Sequence, residues 1–98
     1  MPIRFETVDF TIPSGTNVRS FTENAVFSSD VLRAGAALNR VNLDFTGNDH
    51  NMGRIMADAS VASINGPVVE VTFSCQFRDN SNNDAYFGDA TVLVTAEV

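Results

Sequence analysis

Apolar and polar residues alternate strictly along residues 67–79, and this is the clearest structural signal in the chain. The apolar positions are Val69, Val71, Phe73, Cys75 and Phe77. The polar positions are Glu70, Thr72, Ser74, Gln76 and Arg78. A period of two is typical of a strand with one face in a core and one in water, whereas a helix would spread these residues around its circumference. The Asn65-Gly66-Pro67 stretch predicts a turn before this strand, and residues 79–84 predict a loop after it.

Five further segments show strand patterns, and together they predict the fold. They cover residues 3–10, 18–28, 34–45, 54–64 and 86–98. The first is expected to stop at Ile12-Pro13-Ser14-Gly15. Six strands without a convincing helix favour an all-β protein, a six-stranded antiparallel β-sandwich formed by a single domain over residues 1–98.

Two places interrupt the pattern. Residues 28–40 allow a single helical turn with Asp30 as its N-cap, but Gly35 disfavours a helix, so we predict an extended segment there. Its apolar phase shifts near Asn39-Arg40, which indicates a β-bulge. In the second strand Glu23 falls on the apolar face with Phe21, Ala25 and Phe27, so either that strand bulges or Glu23 lies at an interface.

Length and composition limit the class of protein. A chain of 98 residues with 44% hydrophobic content has a modest core, which oligomerisation would supplement. The net charge of −6 argues against a nucleic-acid partner. Cys75 is the only cysteine, so no intrachain disulfide can form, and its place on the apolar face favours a small buried hydrophobe over a reactive thiol. Neither a signal peptide nor an apolar run long enough to span a bilayer is visible, so we expect a soluble protein without membrane insertion.

Catalytic and metal-binding signals are weak. His50 is the only histidine, no G-x-S-x-G turn occurs, and Cys75 is expected to point inward, so we predict that the protein is not an enzyme and uses no cofactor. One histidine and one cysteine are too few for a transition-metal site. The Asp/Asn loop at 79–84 has oxygen ligands at alternate positions, as calcium loops do. It has Asp84 where an EF-hand has its glycine and Ala90 where the closing glutamate would be, so a solvated hairpin loop is the favoured interpretation.

One polar cluster is better supported. If residues 54–64 and 67–79 form a hairpin, Arg54 lies beside Gln76 or Arg78 at its open end. Asp49, His50 and Asp79 lie in the adjoining loops. All six basic residues are arginine and ten residues are asparagine, which are side chains suited to oxygen-rich ligands, although asparagine is equally common in turns.

Several short stretches resemble the H-type lectins over residues 19–98. They are Asn24-Ala25-Val26-Phe27, Asn51-Met52-Gly53-Arg54-Ile55, Ser60-Val61, the Asn65-Gly66 turn and the last strand through Thr95-Ala96. The resemblance implies a β-sandwich that forms a homotrimer, or a homohexamer of two stacked trimers, and binds N-acetylgalactosamine-type sugars between protomers. It implies that Arg54 contacts sugar and that Thr16 or Asn17 is supplied by a neighbouring protomer. Where the family has an aromatic residue and a histidine, this chain has Cys75-Gln76-Phe77-Arg78.

Two functions follow as hypotheses. The first is a non-enzymatic, lectin-like module that binds glycans as a trimer or hexamer through Arg54, Gln76, Arg78 and the loop residues Asn17, Asp49, His50 and Asp79. The alternative is a structural assembly sandwich without a sugar ligand, in which the arginines and Glu23 lie in subunit contacts. A calcium-dependent adhesin is a third option.

Overall fold

The computed structural model describes residues 2–46, 52–79 and 85–98, with only the backbone described at 52, 53 and 79. Within these ranges the chain forms six strands and no helix. They are β1 (Ile3–Gly15), β2 (Arg19–Val26), β3 (Arg33–Phe45), β4 (Met52–Asn65), β5 (Val68–Asp79) and β6 (Tyr86–Glu97). The prediction of a six-stranded, all-β fold is therefore confirmed. No helix able to cross a membrane occurs in the ranges described.

The strands form two three-stranded antiparallel sheets that pack as a β-sandwich. One sheet has the order β1-β6-β3 and the other has the order β2-β5-β4, so β5 and β6 are the two central strands. Their inward residues form the centre of the core: Val69, Val71, Phe73, Cys75, Ala90, Val92, Val94 and Ala96 are each at most 1% exposed. The apolar residues that alternate along 67–79 thus form the face of β5 that lies in the core. Burial of these apolar side chains is the main stabilising contribution to the fold.

The first strand is longer than predicted. It continues through Pro13 to Gly15, with an irregularity in its pairing to β6 between Ile12 and Gly15. The expectation that it would stop at Ile12-Pro13-Ser14-Gly15 was wrong because β1 is an edge strand, where a proline at an irregular position breaks no essential ladder hydrogen bond.

The ambiguous segment at 28–40 is extended, as predicted, and no helical turn forms in it. Residues 33–45 are one strand, β3, and its register against β6 shifts between Leu38 and Arg40. This confirms the β-bulge expected near Asn39-Arg40. Glu23, by contrast, pairs with Val71 in an unbroken register, so β2 does not bulge. Glu23 is exposed at an inward position of an edge strand, which is a common protection against edge-to-edge association.

The predicted turn at Asn65-Gly66-Pro67 joins β4 to β5. Asn65 pairs with Val68, which leaves a two-residue loop, and Gly66 has a φ of 60°. A positive φ at the first central position, followed by a proline that cannot adopt one, defines a type II′ turn. The segment leading to β3 packs on this turn, since the amide of Phe27 donates to the Pro67 carbonyl and that of Val31 to the Gly66 carbonyl, both at 2.9 Å. The turn therefore fixes both the hairpin and the crossing between sheets.

Gly88 permits close approach of β6 to β3. A Cβ built on it would lie 1.8 Å from the carbonyl oxygen of Asn42, on the backbone of the neighbouring strand. No side chain fits this position without moving one of the two strands.

Candidate functional site

The open end of the β4–β5 hairpin carries three of the predicted site residues. Arg54 pairs directly with Arg78, and Met56 pairs with Gln76. Directly paired residues of antiparallel strands project to the same side of a sheet. Because Phe77 packs inward against Phe45 with a 4.2 Å ring separation, Arg54, Gln76 and Arg78 belong to the opposite, outer face of the β2-β5-β4 sheet. The prediction that Arg54 lies beside Gln76 or Arg78 is confirmed.

These side chains retain unused hydrogen-bonding groups. Gln76 is only 7% exposed although its position belongs to the outer face, and its Oε1 has no hydrogen-bond partner. The Nε of Arg78 is likewise buried without a partner. Nη2 of Arg54 contacts the Met56 sulfur at 4.0 Å. Buried polar groups normally find partners, so two unpaired atoms within three residues make this end of the hairpin a candidate binding site.

Two of the other arginines, Arg33 and Arg40, have acidic partners. Arg33 forms a 3.2 Å ion pair with Glu97, and Arg40 approaches Asp89 at 3.3 Å. Among the residues that the structure describes, no carboxylate forms an ion pair with Arg54 or Arg78. Within the described residues, the two guanidinium groups thus occupy opposite positions without a carboxylate partner.

A second polar cluster, the Arg19–Tyr86 network, lies on the inner face of the same sheet end. Arg19 pairs with Cys75 and therefore projects inward. Its Nε donates to the Tyr86 hydroxyl at 3.3 Å, its Nη2 donates to the Tyr86 carbonyl at 3.0 Å, and its Nη1 donates to the Pro13 carbonyl. The guanidinium also lies 4.3 Å from the centroid of the Tyr86 ring. The hydroxyl in turn reaches the carbonyls of Asn17 at 2.8 Å and Cys75 at 3.1 Å.

Cys75 lies against the Arg19–Tyr86 network, and its buried surroundings determine its protonation state. The thiol is fully buried, as the sequence predicted, and its sulfur lies 3.8 Å from the Tyr86 hydroxyl. Burial raises the pKa of the Cys75 thiol, with a smaller opposing influence from the Tyr86 hydrogen bond and the Arg19 charge. Burial also raises the pKa of the Tyr86 hydroxyl. Both groups are therefore held neutral, and Cys75 has the properties of a structural residue rather than of a nucleophile.

The remaining predicted site residues are placed only in part. Asn17 has a φ of 68° and an exposed side chain, and its carbonyl is bound by Tyr86, so its backbone belongs to the inner-face network. The backbone of Asp79 pairs with Met52 at the end of the hairpin. Asp49, His50, the side chain of Asp79 and the loop at 80–84 that was considered for calcium lie outside the described residues.

Sequence reasoning missed two features. One is the Arg19–Tyr86 network, whose signal was the position of Arg19 in phase with the inward residues Phe21 and Ala25. The other is a shallow polar cleft of about 290 Å³ on the outer face of the β1-β6-β3 sheet. There the Thr91 hydroxyl donates to Asp9 at 3.1 Å beside the Arg40–Asp89 pair. That cleft joins residues from three strands, and no short stretch of sequence indicates it.

Comparison with known proteins found no matching protein-family model, no matching curated protein and no matching solved structure.

Proposed function

We propose that this protein is a non-enzymatic carbohydrate-binding module that acts as a homo-oligomer, a trimer or hexamer, with its ligand site at the open end of the β4–β5 hairpin. The observation that supports this proposal is the pair of buried, unpaired polar atoms at that end, Oε1 of Gln76 and Nε of Arg78. They provide one acceptor and one donor next to the guanidinium of Arg54.

Sugar hydroxyls suit this arrangement because each can donate and accept. The amide of Gln76 accepts a hydrogen bond from one hydroxyl, while the planar guanidinium groups of Arg54 and Arg78 donate to ring and hydroxyl oxygens. The resemblance to H-type lectins, which rests on short stretches such as Asn51-Met52-Gly53-Arg54-Ile55, supports the same ligand class and an oligomer of three or six chains. Several copies of a weak site in one oligomer would raise the overall avidity for a multivalent glycan surface.

The test is a glycan array with the assembled protein, followed by calorimetric titration of any glycan that binds. Arg54→Ala should abolish binding and leave the oligomer intact. Arg33→Ala is the matched control, since it also removes an exposed strand arginine but at a position paired with Glu97. Absence of any glycan binding by the assembled wild-type protein would overturn the proposal.

A second candidate function is a structural assembly module, and exposed apolar side chains favour it. Phe5 is 63% exposed on the outer face of the β1-β6-β3 sheet, and Leu38 and Ile55 are 42% and 58% exposed on the β3 and β4 edge strands. In an assembly of chains, these apolar side chains are the candidates for burial in subunit contacts. If assembly is the only function, Phe5→Thr or Glu23→Ala should shift the mass measured by light scattering, and no glycan should bind to either the wild type or the variants.

A further inference from the structure

We propose that the facing arginines, Arg54 and Arg78, make the site selective for glycans that carry an anionic group, a carboxylate or a sulfate. This inference rests on the proposed function and adds the charge of its ligand. It would distinguish the site from one that holds only the hydroxyls of neutral sugars.

Cross-strand pairing brings the two arginines together. Arg54 and Arg78 occupy directly opposite positions on β4 and β5, where like charges repel and destabilise a sheet. In the described part of the chain neither forms an ion pair with a carboxylate, whereas Arg33 and Arg40 each do. An anion placed between the two guanidinium groups would relieve the repulsion and supply a counter-charge that the described residues do not provide.

The N–H donors of the Arg78 guanidinium also favour an anion. Nε of Arg78 is buried and unpaired, so part of this guanidinium is already removed from water before any ligand arrives. A carboxylate or sulfate accepts paired N–H groups of a guanidinium through two of its oxygens, which is the strongest form of such a contact. A neutral hydroxyl offers one oxygen and no charge, and it satisfies this pair less well.

Gln76 gives the site an uncharged hydrogen-bonding group. It is 7% exposed and its Oε1 lacks a partner, so it provides an uncharged acceptor beside the two cations. Inorganic sulfate carries no proton near neutral pH and cannot donate to that acceptor, but the hydroxyl of an acidic sugar can. The arrangement therefore suits an anionic sugar better than sulfate alone.

The net charge of the whole chain does not conflict with this selectivity. The chain carries a net charge of −6, which repels anions at long range. At physiological ionic strength the screening length is about 8 Å, so the field that a bound group experiences is dominated by the nearest charges. We expect the preference for anionic glycans to be strong in contact and to weaken as salt is added.

The experiment compares three forms of one oligosaccharide by calorimetric titration: a neutral form, a form ending in a carboxylate-bearing sugar, and a sulfated form. At least one of the two anionic forms should bind the assembled wild-type protein at least about tenfold more tightly than the neutral form. Arg78→Gln should bring the three affinities to within about twofold of one another, and Arg54→Gln should do the same. Arg33→Gln is the control and should keep the preference. Thermal unfolding and light scattering of each variant exclude loss of the fold or of the oligomer.

The outcomes separate this inference from the proposed function. Equal binding of neutral and anionic forms by the wild type overturns the inference and leaves carbohydrate binding in place. Loss of the preference in Arg33→Gln also overturns it, since the preference would then reflect overall charge. If inorganic sulfate competes as well as the sulfated oligosaccharide and the neutral form never binds, the arginine pair is an anion site and the carbohydrate proposal fails. Absence of all binding overturns both. A preference for only one anionic form identifies the group that the arginines recognise.

Discussion

Two polar clusters lie back to back at the same end of strand β5, and they differ in how fully their hydrogen bonds are made. Cys75 projects inward to the Arg19–Tyr86 network, and the next residue, Gln76, belongs to the outer face. Inside, all three nitrogens of the Arg19 guanidinium have acceptors, and the Tyr86 hydroxyl both accepts and donates. Outside, Gln76 and Arg78 each keep a buried polar atom without a partner.

The difference distinguishes polar groups that stabilise the fold from polar groups that remain to bind a ligand. A buried polar group whose hydrogen bonds close within the chain stabilises one conformation, because breaking any of them leaves a desolvated group behind. A buried polar group without a partner destabilises the unliganded protein and becomes satisfied only when something binds. The inner network should therefore control stability and the outer cluster should control binding.

The largest expected effect is on stability, from a substitution in the inner network. Arg19→Met keeps an unbranched side chain of similar length but removes the donors to both polar groups of Tyr86 and to the Pro13 carbonyl. It also removes the cation–π contact with Tyr86. We expect the free energy of unfolding, measured by urea denaturation, to fall by about 3 kcal/mol.

The matched control is Arg54→Met on the outer face. It makes the same chemical change at a position where the arginine has no acid partner in the described residues, and it relieves repulsion with Arg78. The free energy of unfolding should change by less than about 0.5 kcal/mol. A similar loss of stability in both variants would contradict the division between the two faces.

The next prediction is that two substitutions, one on each face, change the free energy of unfolding in opposite directions. Tyr86→Phe removes one hydroxyl and leaves the groups around it unsatisfied, so it should lower the free energy of unfolding by about 1–2 kcal/mol. Gln76→Met removes an acceptor that has no partner, and it should raise the free energy of unfolding by about 1 kcal/mol in the absence of ligand. Both are measured by urea denaturation of the unliganded protein. A loss of stability in Gln76→Met would mean that the amide makes a stabilising interaction within the protein.

Much of the fold could be predicted from sequence because the determining signals are local. The alternation around Phe73 shows one buried face, the phase shift at Asn39 shows a bulge, and Gly66-Pro67 shows a hairpin turn. Counting from the turn placed Arg54 near Gln76 or Arg78, but it did not give the exact pairing. An unpredicted bulge at Ala62 shifts the register of β4 against β5 by one residue, and without it Arg54 would stand opposite Asp79.

What could not be predicted depends on contacts between distant residues. The sequence shows that β1, β3 and β6 are strands, but not that β6 lies between the other two, since their residues meet across long separations. Arg19 and Tyr86 are 67 positions apart, and neither carries a local sign of the other. Whether a polar atom is left unpaired, as in Gln76, depends on every neighbour in space and has no sequence signature.

The smallest expected effect is a fall in the free energy of unfolding at alkaline pH. At neutral pH no such fall is expected. Burial raises the pKa of the Cys75 thiol above its ordinary value of 9.0 and that of the Tyr86 hydroxyl above 10.0. Between the unfolded and folded pKa values the folded protein keeps a proton that the unfolded chain has lost. The free energy of unfolding therefore falls as pH rises, by at most about 1.4 kcal/mol per pH unit for each proton. Stability from this source is complete below the unfolded pKa and is lost as the pH rises through the folded pKa.

Cys75→Ala removes one of these two protons and also the contribution of Cys75 to the raised pKa of Tyr86, and both changes act in the same direction. Urea denaturation under reducing conditions at a series of pH values from neutral to about 10.5 should give a shallower alkaline decline for the variant than for the wild type. The small cavity left by the missing sulfur lowers stability by a similar amount at every pH, so the comparison of slopes is unaffected. Gln76→Met, one residue away on the outer face, removes no proton and should keep the wild-type slope. Equal slopes in Cys75→Ala and the wild type would show that the thiol titrates alike in the folded and unfolded chain. Burial would then not hold the Cys75 thiol neutral.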